Sequence, residues 1–359
     1  MLSYIGRLAV ARKGWLSDRD FKAGVALCQA IPGATAMQCA AYVGLQARGL
    51  GGSVASYVGF GMPAFLLMLA ASVAYQRAAG LQAVASALSG LRCIVVALVA
   101  NATWTFARSS IQGARDGALA LGAAALFLAG GSPFLIVLGA GALGLVVLGR
   151  LERVAQANPS ASPTWRTLRS PAIVLSVAAG LMALLLVLDT RLAILSLVMM
   201  KVDIFAFGGG FTSVPLMFRE VVRAREWMPA ATFMDGIALG QVTPGPIVIT
   251  ATFVGYQVAG LAGAAVATAG IFLPSIFVVT LAEPWFRKLN AFPLFGAVVR
   301  GLMLSFVGLL ASVAIQFAIV APWSLPSVVL ASAALVALLR KVDVLWVVLV
   351  GGVLAAIAL

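Results

Sequence analysis

The sequence predicts an all-α polytopic membrane protein made of two homologous halves, arranged as inverted-topology repeats whose helices are broken at Pro-Gly. Three observations predict this. Hydrophobic residues are 62% of the chain and charged residues 10%, with a mean hydropathy of +1.08, so lipid must be the solvent for much of the surface. The chain also contains itself twice. Trp15, Phe21, Gly24, Ala26, Leu27 and Pro32-Gly33 recur at the same spacing as Trp227, Phe233, Gly236, Ala238, Leu239 and Pro244-Gly245. After a one-residue slip, Val43-Gly44, Gly49, Gly52, Gly59, Pro63, Gly90 and Gly141 reappear as Val254-Gly255, Gly260, Gly263, Gly270, Pro274, Gly301 and Gly352. Finally, the basic loops exchange sides between the halves.

Residues 1–150 form the first repeat, residues 151–170 a polar Pro/Ser-rich linker, and residues 171–359 the second repeat. Long runs carry no charge: Gly49 to Gln76, Gly117 to Gly149, Gly236 to Ala282 and Gly301 to Leu339. A spanning helix needs about 20 apolar residues, so several of these runs hold more than one helix, and the chain as a whole is expected to hold roughly ten membrane-embedded segments. They lack the alternation of a β-barrel span. Met1 aligns with Ser213, so nothing in the first repeat answers residues 192–212. The expectation is a first repeat without its first helix, with a start upstream of Met1.

Lys and Arg cluster in short loops, as the positive-inside rule expects, so the net charge of +13 reflects topology rather than nucleic-acid binding. In the first repeat the basic loops are Arg108 to Arg115 and the linker, with Arg150, Arg153, Arg166 and Arg169. The loop Ile319 to Pro326, which matches the former, is uncharged, whereas Arg287-Lys288 and Arg340-Lys341 fall in loops whose first-repeat counterparts hold Arg77 alone and no base. Such an exchange is the inverted-repeat pattern of many secondary transporters. It requires that only one of the apolar stretches Pro171 to Leu188 and Leu192 to Phe218 cross fully.

There is no His, and Cys28, Cys39 and Cys93 form no CxxC pair, so a metal or redox cofactor is not expected. Charges before Lys13 interrupt the N-terminus before a signal-peptide core forms. No GxxxxGK[ST] pattern is present, so an ATP site is not expected.

Two constellations carry the functional expectation. Gly208, Gly209 and Gly210, followed by Pro215, should break a helix. The freed N–H groups would need partners in a membrane, and an anion suits them. Proline keeps the preceding residue out of helical geometry, so the chain should also unwind over Thr243, Pro244, Gly245 and Pro246, with Gln241 and Thr250 as donors beside the break. The first repeat offers Pro32, Gly33, Thr35 and Gln38 at its matching break. Close packing through small residues is the plainer reading of a single glycine. Paired breaks point instead to a midplane site.

Lys201 is the candidate positive charge for the anion, and Asp203, Glu220 and Asp235 are candidate proton carriers. Arg92 and Arg300 are read as topological. Glu220, Arg223, Arg225 and Trp227 are read as an amphipathic surface stretch with the Trp at headgroup depth.

At these residues the sequence resembles the chromate ion transporter family. The matching segments are FGGGFTSVPLMFREVV from Phe207, the Trp227 to Pro246 segment ending DGIALGQVTPGP, ATFVGY from Ala251, and KGWLSDRDFKAGVALCQAIPGATAMQCAAYVG from Lys13. Two departures stand out: Pro-Gly-Ala at Pro32 to Ala34 where the family has Pro-Gly-Pro, and no FGG-type segment in the first repeat. The resemblance implies proton-coupled chromate export across a bacterial inner membrane, with chromate resistance as the outcome and sulfate as a related substrate. Chromate or sulfate, the bilayer and protons are the expected partners, and a homodimer is kept as a candidate assembly. The alternatives are a non-catalytic membrane subunit and an intramembrane enzyme. A rigid scaffold has little use for paired breaks, and the scattered acids form no catalytic constellation.

Overall fold

The computed structural model describes residues 1–78, 80–147, 165–285 and 293–359. Most of the expected linker, and Arg287-Lys288, lie outside the described residues. Within them there are α-helices and no strand: α1 (Leu2–Gly6), α2 (Asp18–Ala30), α3 (Thr35–Ala78), α4 (Gln82–Ser110), α5 (Ala114–Leu128), α6 (Pro133–Val147), α7 (Trp165–Leu188), α8 (Thr190–Ile204), α9 (Gly210–Phe218), α10 (Ala230–Val242), α11 (Thr250–Ala282), α12 (Pro293–Val320), α13 (Leu325–Leu339) and α14 (Val344–Ala358).

Helix α1 runs on through a π-helical turn, Arg7–Arg12, and the chain reverses at Gly14, φ 60°. The Ser17 hydroxyl caps α2 by accepting from the Asp20 N–H, and Asp18 and Asp20 sit in its first turn, where the helix dipole favours them. Pro32 ends α2, and Gly33 at φ 118° turns the chain. The first arm of α3, residues 35–47, then runs back along α2. Tyr42 packs on Gly24 and its hydroxyl donates to the Asp20 carbonyl at 3.4 Å. A helix of 13 residues rises about 20 Å, some two thirds of a hydrocarbon core. Helix α2 is therefore too short to cross on its own, and the α2–α3 hairpin has Pro32-Gly33 at its tip.

Arg48 (φ −146°) and Gly49 (φ 64°) form a second tight turn within α3. The second arm, residues 50–78, packs closely on the first. Gly44 and Gly52 meet backbone to backbone, and the Ser56 hydroxyl donates to the Ala40 carbonyl at 2.7 Å.

The second repeat builds the same units. Helix α9 continues through a π-helical turn, Arg219–Ala224, to Glu226 at φ 52°. The segment after α10 forms the second tip, and Phe253 packs on Gly236 as Tyr42 does on Gly24. Ala259 (φ −147°) and Gly260 (φ 60°) split α11 as Arg48 and Gly49 split α3. Gly255 and Gly263 close that turn as Gly44 and Gly52 close the first.

The repeats are interlocked. The α5–α6 hairpin packs on α12 of the other repeat, and the α13–α14 hairpin packs on α4. Equivalent residues make exchanged contacts: Gly141 with Leu302 and Gly352 with Leu91, Gly144 with Gly301 and Ala355 with Gly90. The tips follow the same rule, Gly33 meeting Ser275 and Gly245 meeting Ala64. An approximate two-fold axis between the repeats accounts for all of these pairs.

The expected ten apolar segments resolve into 5 helices long and apolar enough to cross a membrane, within 35–78, 82–110, 169–188, 247–282 and 296–320, plus shorter apolar helices. Leu121, Leu135, Val146, Val187, Leu325 and Ile357 are exposed, as lipid-facing side chains should be. Residues 169–188 cross by length. By contrast α8, 15 residues long, rises about 22 Å and stops at the glycine triplet.

Candidate oxyanion site

Helix α8 ends at Ile204, Gly208 and Gly209 follow at φ 88° and 104°, and α9 begins at Gly210. Only glycine adopts such angles without strain. The position a Cβ on Gly209 would take lies 3.6 Å from the Thr35 hydroxyl, while Gly210 abuts Ile247. The triplet thus sits between the two hairpin tips.

At the second tip, Thr243 is extended (ψ 120°). Pro246 (ψ 139°) leads into a single 3₁₀ turn, Ile247–Ile249, before α11 begins at Thr250. The starts of three segments therefore face one place: Thr35 of α3, Gly210 of α9 and Ile247 ahead of α11. Their first N–H groups have no intrahelical acceptors, and helix N-termini favour anions.

A cavity of about 460 Å³ opens there, lined by Ala34, Thr35, Gly210, Gln241, Thr243, Pro244, Gly245, Pro246 and neighbours. The Gln241 Nε2, buried, has no hydrogen-bond partner among the described residues. A second cavity of about 670 Å³ shares Thr35 and is lined by Gln29, Ser109, Ser110, Gln112, Gly208 and Arg300 among others.

Several expected residues sit elsewhere. Pro32, Gly33 and Gln38 line neither cavity; the Gln38 amide donates to the Pro32 carbonyl, and a Gly33 side chain would strike Ser275 and Gln38. The hydroxyls of Thr243 and Thr250 donate to their own backbone, at Leu239 (3.0 Å) and Ile247 (2.8 Å). Thr250 lines neither cavity.

Lys201 lines neither cavity either. It pairs with Glu220 at 2.9 Å and sits 3.6 Å above the Phe134 ring. Glu220 is buried and is also 3.9 Å from Arg225, which corrects its reading as part of a surface stretch.

Asp235 is buried and accepts from Arg92 Nε and Nη2, both at 2.8 Å, and from the Tyr75 hydroxyl at 2.9 Å. Asp203, 1% exposed, accepts from the Ser275 hydroxyl at 2.7 Å and forms no ion pair among the described residues.

The topological reading of Arg92 and Arg300 is also corrected. Each pairs with a carboxylate of the other repeat: Arg92 with Asp235, and Arg300 with Asp116 at 2.7 Å. Arg300 is the cation of the larger cavity, and its buried Nε has no partner. The one sequence signal was a solitary Arg ahead of an uncharged run. Its carboxylate lies too far along the chain to be paired with it by inspection.

The model of the chromate transporter family matches residues 1–145 and 193–356. The chain belongs to the chromate transporter family. An uncharacterized transporter of Methanocaldococcus jannaschii is 39% identical over 100% of this chain and 89% of its own. A chromate transport protein of Cupriavidus metallidurans is 31% identical over 95% and 83%, and one of Pseudomonas aeruginosa 31% over 76% and 65%. No solved structure matches. The transporter is thus a multi-pass membrane protein of a transport family, with two repeated halves.

Proposed function

We propose that the transporter is a secondary carrier exporting chromate, with the isosteric sulfate as the related substrate, across the inner membrane, coupled to the proton-motive force. The observation that carries this reading is the convergence of three segment starts on one cavity of about 460 Å³, which Gln241 also lines. A dianion in a membrane interior must be hydrogen-bonded and partly neutralised. Backbone N–H groups supply bonds and partial positive charge without a full countercharge. That suits a carrier, which must release what it binds. Arg300, beside the adjoining cavity through Thr35, takes the attracting role the sequence assigned to Lys201.

The repeats are read as inverted. Arg191, at the start of α8, donates from Nη2 to the Val258 carbonyl at 2.7 Å, at the base of the second hairpin. Between the base of the first hairpin and that point lie the second arm of α3, the helix α4, the hairpin α5–α6 and α7, an odd number of crossings. The hairpins then enter from opposite sides, and their tips meet in between. Rocking one repeat against the other exposes the site alternately.

Flux of labelled chromate and sulfate into proteoliposomes holding the purified full chain tests the reading. The expected result is saturable uptake of chromate, with competition by sulfate. Flux no greater than in empty liposomes would refute it.

A further inference from the structure

We infer that Asp203 is the proton site of the carrier and that its proton travels with the oxyanion, in the same direction. This rests on the transport reading above and assigns its coupling. Four carboxylates are buried among the described residues, and Asp116 is held by Arg300. Asp235 is held by Arg92 through two hydrogen bonds, and Glu220 by Lys201 and Arg225. Releasing or taking up a proton at any of these means breaking an ion pair. Asp203 has no such pair. The titratable groups around it are Tyr57 on the second arm of α3, whose hydroxyl is engaged by the Phe272 carbonyl at 2.6 Å, and Lys201 on its own helix, which Glu220 occupies.

The Asp203 Oδ2 accepts from Ser275, and its Oδ1 is buried without a partner among the described residues. A proton on the carboxyl removes the charge from that unpartnered oxygen. A bare carboxylate there would be a buried charge with one hydrogen bond, which is costly.

The same cluster touches the substrate cavity. The Ser275 hydroxyl that donates to Asp203 accepts from the Ala34 N–H at 3.3 Å, and Ala34 and Thr35 line the cavity. Gly33, next in the tip, donates to the Ala206 carbonyl at 2.8 Å, three residues beyond Asp203. An anionic Asp203 repels a dianion at that tip, and a neutral one does not. By linkage, oxyanion binding then favours protonation to the same degree. The loaded carrier moves one proton with each dianion, a net single negative charge, and the inside-negative potential of a cell favours its outward passage.

The test uses full-chain proteoliposomes with the membrane potential clamped and a pH gradient imposed. Chromate, and in parallel sulfate, which takes up no proton near neutral pH, should accumulate on the alkaline side. Asp203→Asn, a near-isosteric neutral side chain, should exchange labelled oxyanion at zero gradient but accumulate none. Accumulation on the acidic side, or accumulation by Asp203→Asn equal to the parent's, overturns the inference. Ser275→Ala keeps the carboxyl and removes its hydrogen bond, so the pH at which exchange falls should move up, and an unmoved profile counts against the inference even where the Asn variant fails to insert. A parent that exchanges no oxyanion at zero gradient refutes the transport reading itself. A parent that exchanges but ignores the pH gradient refutes only the coupling.

Discussion

Single side chains set the chemistry of the cavity, and two of them give separable predictions. Gln241 lines the cavity, and its amide nitrogen has no partner among the described residues. A hydrogen bond to a charged group is worth about 1.5–3 kcal/mol, so Gln241→Ala should weaken chromate binding on the order of ten- to hundredfold. Competition binding to purified protein measures this, with thermal stability as the control. Gly33 has a different role. Its φ of 118° and its contact with Ser275 leave no room for a side chain. Gly33→Ala should cost about 1–3 kcal/mol of backbone strain and displace the tip, so flux should fall while Gly51→Ala, at an open position, leaves it unchanged. The sequence singled out both residues through the Pro-Gly breaks. It misjudged Lys201 and Arg300 because the reach of a long cationic side chain is set by what packs beside it.

Among elements, the two Pro-Gly hairpins frame the candidate site. Each is a short helix, a Pro-Gly tip and a short return arm, ended by a glycine at positive φ, Gly49 or Gly260. Proline and glycine chemistry is local, so these breaks were legible residue by residue. Whether the breaks bend a helix or fold it back on itself was not legible, because that depends on Tyr42 seating on Gly24 and Phe253 on Gly236. Opposite entry of the hairpins predicts opposite exposure of equivalent loops. Gln112→Cys and Pro322→Cys, both exposed positions in equivalent loops, should react with an impermeant maleimide from opposite sides of the membrane. Labelling of both from one side would leave the repeats parallel.

Across the whole molecule, interlocking of the repeats ties them into one body. The α5–α6 and α13–α14 hairpins each pack on the other repeat's long helix, and the ion pairs Arg92–Asp235 and Arg300–Asp116 cross the same boundary. Removing one partner of a buried pair strands the other charge, at about 3–5 kcal/mol. Arg92→Leu and Asp235→Leu should each lower the thermal unfolding temperature in detergent. The double substitution should recover much of the loss, since neither charge is then left alone. Additive losses would show that the two side chains do not support each other.

The sequence by itself determined the membrane environment, the duplication, the places where helices break and the family. The family came from the resemblance of its motifs; the rest follow from composition, from internal repetition and from proline and glycine, whose effects act within a few residues. Only the tertiary structure decided which charges are neutralised and which is left alone. Asp203 and Lys201 stand two residues apart, yet one meets Ser275 and Gly33 and the other Glu220. Those partners come from distant segments brought together by interlocked packing, and in a low-dielectric interior the partner a charge meets decides its role.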